Sequence, residues 1–236
     1  MKNILILHGW GSSKKKWQKV KEILSGHGLK VVIPDFPGFG ENPSSSQPWS
    51  VDDYVEWVRI FCEKENLSQF FLLGHSFGGR IAIKFAVKYP EKISGLILCG
   101  APAIKDELEI KYLLAKALAK FFPKLSFLPF YQFFRKIFYK YFLRKTDYLK
   151  LEGIMKETYK KVIAEDLVLY LPQIKTKTLI LWGKKDNFVS VKLAFLIEDK
   201  IPNSKLMIFP KVGHNLHSEA PEKLSETLLK FLENKL

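Results

Sequence analysis

Short apolar runs alternating with amphipathic stretches predict an α/β fold, a mostly parallel six-stranded sheet with helices on both faces. Three observations carry this. Six largely apolar runs, over 3–7, 30–33, 69–73, 93–99, 178–182 and 205–209, have the length and continuity of strands buried on both sides. Helical patterns separate most of them, as parallel strands require. Glycine-bearing turns follow several of the runs, at the strand ends where sheets of this class gather their chemistry.

The first run enters a glycine-rich loop, His8-Gly9-Trp10-Gly11-Ser12-Ser13. A helix over 16–24 turns Trp17, Val20 and Leu24 inward and stops at Gly26-His27-Gly28. The strand over 30–33 leads to Pro34-Asp35-Phe36-Pro37-Gly38-Phe39-Gly40, and Ser50 caps a helix over 51–64 whose first turn is acidic. The run over 69–73 breaks at Gly74, and a helix over 78–88 resumes behind it. After the fourth strand the rhythm changes. Residues 104–171 are helical in pattern and crowded with Phe and Tyr, which reads as a helical cap inserted over the strand ends. Two further strands and a closing helix over 222–236 complete the chain. The expected organisation is core over 1–103, cap over 104–171 and core again over 172–236.

Composition excludes several classes. The formal charge is +14, but the lysines are spread along the sequence rather than gathered into one basic block, so solvated helix faces explain them better than a nucleic-acid site. No apolar run approaches membrane-spanning length, and the opening segment is too short for a signal-peptide core. Cys62 and Cys99 are too few for a disulfide framework and read as buried thiols in a reducing, cytoplasmic setting. No histidine pair has metal-ligand spacing with a suitable third ligand, so no metal is expected. The chain is expected to act as a monomer or homodimer.

The chemistry centres on Gly74-His75-Ser76-Phe77-Gly78-Gly79, where a strand passes sharply into a helix and lifts Ser76 above the sheet. A serine nucleophile needs a base, an acid to orient that base, and donors for an oxyanion. Asp186 lies in the short loop Gly183-Lys184-Lys185-Asp186-Asn187 after the fifth strand. The fourth strand runs into Gly100-Ala101-Pro102 and offers no rival acid, since Asp106 falls within the cap. His214, in Gly213-His214-Asn215, follows the last strand and is preferred to His217, one helical turn away and without a preceding glycine. His8 reads as a structural hydrogen-bonding residue, His27 as a solvated one and His75 as a variable position of the turn. The amide of Phe77 and that of Trp10, set between glycines, are the candidate oxyanion donors. Gly9, Trp10, Phe77, Phe130, Phe134 and Phe188 are the candidates for the substrate-pocket wall.

Taken together, His8-Gly9-Trp10-Gly11, Pro34-Asp35-X-X-Gly38-X-Gly40, the Ser76 turn, Gly183-X-X-Asp186 and Gly213-His214 resemble the α/β-hydrolase family over essentially the whole chain. The resemblance implies a Ser76–His214–Asp186 triad, no cofactor, and Trp10 and Phe77 as oxyanion donors. It departs in one respect: family members typically begin with an antiparallel hairpin, which these residues do not supply, so a trimmed sheet edge is expected. The activity implied is cleavage of carboxylic esters with small to medium, largely apolar acyl groups. Alternatives are a methyl esterase acting on acyl chains of an acidic carrier protein, and a carbon–carbon bond hydrolase, for which Arg135 or Arg144 would supply extra polarity. A non-enzymatic binder using the basic aromatic cap is the reading from a different class.

Overall fold

The structure, a computed structural model, describes residues 2–104 and 151–236. Six strands form one sheet: β1 (Asn3–Leu7), β2 (Lys30–Val32), β3 (Phe70–His75), β4 (Ile93–Cys99), β5 (Thr178–Gly183) and β6 (Ser204–Phe209). Their spatial order is β2-β1-β3-β4-β5-β6 and every pairing is parallel. The chain steps outward from β1 to β2, then returns through α2 (Val51–Lys64) to the far side of β1. The order therefore reverses between β1 and β3, where loops after neighbouring strands diverge and leave a crevice.

Alternation along each strand divides the core into two layers. Leu5 and Leu7 of β1, Leu72 of β3, Leu96 and Leu98 of β4, and Ile180 and Trp182 of β5 pack against α2 and α3 (Phe77–Lys88). Ile4, Ile6, Leu73, Ile97, Leu179 and Leu181 point the other way. They meet Trp17, Val20 and Leu24 near α1 (Gln18–Gly26), and Leu224 and Leu228 of the C-terminal helix. With both faces covered, the strands show the continuous apolar runs seen in the sequence rather than a period of two. Each fully buried aliphatic side chain contributes roughly 1.5–3 kcal/mol, so the two layers supply the main driving force.

The helices depart from expectation mainly at their ends. The first begins as a 3-10 turn, Lys14–Trp17, before α1. Asp35 Oδ1 accepts the Lys14 N–H at 2.6 Å, which fixes the start of that turn. Ser50 caps α2 as expected, within a reciprocal capping box with Asp53. Between β4 and β5 the described elements are α4 (Gly153–Ala164) and a 3-10 segment, Val168–Gln173. Beyond it come α5 (Lys192–Lys200), the short α6 (Leu216–Glu219) and α7 (Pro221–Leu232). The closing helix thus stops earlier than the predicted 236, with Asn234 in the left-handed region at φ 59.

β3 corrects the sequence reading more usefully. It does not break at Gly74 but runs on through His75, because Gly74 and His75 continue the ladder with Leu98 and Cys99 of β4. The turn is thereby compressed into Ser76. No helix among the described residues is long and apolar enough to cross a membrane.

Candidate active site

Ser76 stands between β3 and α3 with φ 51 and ψ −116, a strained conformation for a residue with a side chain. Its surroundings enforce it. The Ser76 N–H donates to Cys99 O at 3.0 Å, and Ser76 O accepts from Gly79 N–H at 2.9 Å. The flanking glycines are demanded by close approach. A Cβ on Gly74 would lie 2.5 Å from Gly78 O, and one on Gly78 would lie 2.2 Å from Leu7 O. That second contact presses the head of α3 against the end of β1, where Gly78 N–H also donates to His8 O at 3.1 Å. The serine therefore sits at the reversal point of the sheet.

Two strands away, the loop after β5 presents Asp186. Its Oδ1 accepts the N–H groups of Phe188 and Val189, both at 2.8 Å. Its Oδ2 lies 2.7 Å from His214 Nδ1, with the Asp186 side chain wholly buried and that of His214 11% exposed. A carboxylate facing Nδ1 places the proton there and leaves Nε2 free as an acceptor. The loop after β6 is held on both flanks of His214 by Glu219, which accepts from Gly213 N–H at 2.7 Å and Asn215 N–H at 3.2 Å.

Asp186 and His214 are thus brought into direct contact. No hydrogen bond among the described residues joins the Ser76 hydroxyl to the His214 ring. The link between the two loops runs instead through His75, whose Nε2–H donates to the His214 carbonyl at 3.1 Å. His75 is buried, and its ring centroid lies 4.9 Å from that of His214. The sequence reading, which gave His75 no structural task, did not anticipate this contact. The strand extension turns His75 inward, where no periodicity argument ending at Gly74 would have placed it.

The other histidines separate by environment. His217 is buried and stacked on Trp17 with centroids 4.5 Å apart, and burial pushes its pKa down to about 4. His8 is fully buried. Its Nδ1–H faces Gly9 O at 2.8 Å and its Nε2 accepts from Phe36 N–H at 3.3 Å, while burial lowers its pKa. His27 is exposed.

Phe77 N–H, at the first residue of α3, and Trp10 N–H have no hydrogen-bond acceptor among the described residues. Gly9, next to Trp10, approaches the nucleophile turn closely: a Cβ there would lie 3.3 Å from Ser76 Cβ. The Trp10 ring is half-buried against Phe77, Phe39 and, from α4, Tyr159. The Phe77 ring is buried among Phe36, Phe39 and Tyr54, so its amide rather than its ring is available to a ligand. Phe188 is 66% exposed, with its ring 5.3 Å from that of His214. Phe130 and Phe134 lie outside the described residues. A cavity of about 630 Å³ runs along β2, lined partly by Val32, Trp57 and Phe61, and none of the site residues contributes to its wall. Among the described residues no group of three or more His, Cys, Asp or Glu side chains has the arrangement of a metal site.

The profile of the alpha/beta hydrolase fold family matches residues 2–221. The chain belongs to that family. It is 27% identical to the monoacylglycerol lipase ABHD6 of Homo sapiens, with 98% of this chain and 75% of that protein aligned. It is also 27% identical to 2-hydroxy-6-oxo-6-phenylhexa-2,4-dienoate hydrolase of Burkholderia cepacia, covering 98% of this chain and 87% of the relative. Identity to the pimeloyl-[acyl-carrier protein] methyl ester esterase of Wigglesworthia glossinidia brevipalpis is 29%, over 90% of this chain and 86% of that one. Among solved structures, the esterase EaEST of Exiguobacterium antarcticum superposes with a TM-score of 0.76 at 22% identity, covering 99% of this chain and 92% of the esterase. That likeness concerns the fold. The alpha/beta hydrolase therefore has relatives named for lipase, esterase and dienoate hydrolase activities.

Proposed function

We propose that this alpha/beta hydrolase cleaves carboxylic esters with a Ser76–His214–Asp186 triad. The observation that carries the reading is the 2.7 Å contact between His214 Nδ1 and the buried Asp186 carboxylate, in loops at the same sheet end as the strained Ser76. In this mechanism Ser76 Oγ attacks the ester carbonyl carbon as its proton passes to His214 Nε2. The oxyanion is met by the unpaired N–H groups of Trp10 and Phe77. The imidazolium, stabilised by Asp186, gives its proton to the departing alcohol. Water, deprotonated by His214, then attacks the acyl-serine carbonyl and releases the acid and free enzyme. The serine–imidazole hydrogen bond forms as substrate enters, since such contacts are often long or poorly aligned without it.

The acyl group is small to medium and largely apolar. Trp10, Tyr159 and Phe188 support this, as aromatic surface beside the nucleophile and base. Residues 104–171 act as the cap, a reading supported by the docking of α4 on the site. Tyr159 packs on Trp10, and a Cβ on Gly38 would meet Met155 Sδ at 2.4 Å. The free, buried Cys62 and Cys99 fit a reducing compartment such as the cytoplasm.

The decisive experiment replaces Ser76 with alanine and measures p-nitrophenyl ester hydrolysis across acyl lengths. Turnover should vanish while the protein stays folded; wild-type turnover in the variant would refute the assignment. A narrower substrate, a methyl ester on an acidic carrier protein, is favoured by the net charge of +14 and by the carrier-protein esterase among the relatives. It predicts rates on carrier-bound esters that fall with added salt and with reversal of cap charges. Salt-independent rates would remove it.

A further inference from the structure

The acid and base loops are tied to each other by their own strands, but the nucleophile turn needs a separate connection. Lys185 N–H donates to Val212 O at 3.0 Å, and a Cβ on Gly183 would lie 2.0 Å from Gly213 O, so the ends of β5 and β6 are locked together. Glu219 pins Gly213 and Asn215, but it belongs to the same loop and helix as His214 and carries no information about Ser76. Among the described residues, one hydrogen bond joins the nucleophile turn to the base loop, and it is the one from His75 Nε2 to the His214 carbonyl.

We propose that His75 is a positioning residue of the reaction, its Nε2–H holding the His214 peptide so that the imidazole stays in register with the adjacent Ser76. The inference rests on the triad reading above. Its chemistry follows from the partner. A carbonyl only accepts, so Nε2 must carry the proton, and Nδ1, buried and without a partner, is the bare nitrogen. Burial, and then the neighbouring His214 and His217, hold the His75 pKa well below its ordinary value. The donor thus stays neutral while the base changes charge during turnover. The ring is clamped between Trp17, His214 and His217, with centroids 5.7, 4.9 and 5.0 Å away. A ring so held transmits position, because a densely packed interior resists its displacement.

The test compares His75→Phe, which keeps a ring but removes the donor, with His75→Gln, which places an amide N–H near the position of Nε2. With p-nitrophenyl esters, His75→Phe should lower kcat by about 100-fold, the cost of a misplacement on the order of 1 Å, while KM stays near wild type. His75→Gln should recover most of the loss. A low-field proton resonance from His214 Nδ1–H gives a second readout, sharp in the wild type and in His75→Gln and broadened or shifted in His75→Phe. A folded His75→Phe with wild-type kcat and an unchanged resonance overturns the proposal. So does an equal loss in both variants that tracks a fall in melting temperature, which would make His75 a packing residue only. Ser76→Ala, run alongside, separates the two claims. If it keeps full turnover the triad reading fails, and the resonance still decides whether His75 positions His214.

Discussion

Asp186 divides its two carboxylate oxygens between different tasks: Oδ2 lies 2.7 Å from His214 Nδ1, while Oδ1 receives the N–H groups of Phe188 and Val189. The main-chain donors set the orientation of the carboxylate before any charge moves. Replacing Asp186 with asparagine keeps the size of the side chain but offers an amide where the imidazole needs an acceptor. The wrong His214 tautomer is then favoured, and kcat for ester hydrolysis should fall by roughly 10⁴-fold, as in other serine triads, with little change in melting temperature. Steady-state kinetics and a thermal melt check both parts.

The proposed oxyanion site depends on backbone that the glycines allow to meet. Gly78→Ala would drive a methyl group to 2.2 Å from Leu7 O, in the middle of the contact between β1 and α3. Neither backbone is the flexible end of a side chain, so the strand or helix must move. The variant should lose about 3 kcal/mol or more of stability, in the range of severe core defects, and most of its activity. Urea unfolding measures the first and ester turnover the second.

His217 gives a pH signature in stability. Its pKa in the folded protein is about 4 against an ordinary 6.5, chiefly through burial beside Trp17. Below pH 6.5 the unfolded chain takes up a proton that the folded chain refuses, so the neutral ring's contribution is complete above that pH. It is lost as pH falls from 6.5 to about 4. The loss amounts to roughly 3 kcal/mol for a shift of this size. In His217→Phe, which keeps an aromatic face on Trp17, the fall in unfolding free energy across this interval should be smaller by about that amount. Parallel curves for the two proteins would contradict the assignment.

Much of the fold was legible because burial on both faces leaves an unmistakable apolar run, as in Ile4, Leu5, Ile6 and Leu7, all fully buried. The turn at Ser76 and the loops bearing Asp186 and His214 were legible for a steric reason, since glycine marks the places where backbones touch. What stayed hidden was relational. The sheet position of His75 depends on β4 continuing alongside it, and nothing within residues 74–79 announces that neighbour. Glu219 looks like any helix-surface acid until the loop before α6 folds back onto it. His217 differs from His214 in being buried against Trp17, some 200 positions away in the chain. The expected pocket role of Phe130 and Phe134, which lie outside the described residues, and the proposed acyl-length preference rest on packing that helical periodicity does not encode.

The most direct test of the central claim, that Ser76, His214 and Asp186 act as one unit, is fluorophosphonate labelling followed by peptide mass spectrometry. The wild-type protein should carry a single adduct, on Ser76. Labelling there should be slowed strongly in both His214→Ala and Asp186→Asn, because the hydroxyl is reactive only when the paired imidazole takes its proton. Labelling at another residue, or labelling of Ser76 that proceeds equally well without His214, would contradict the account.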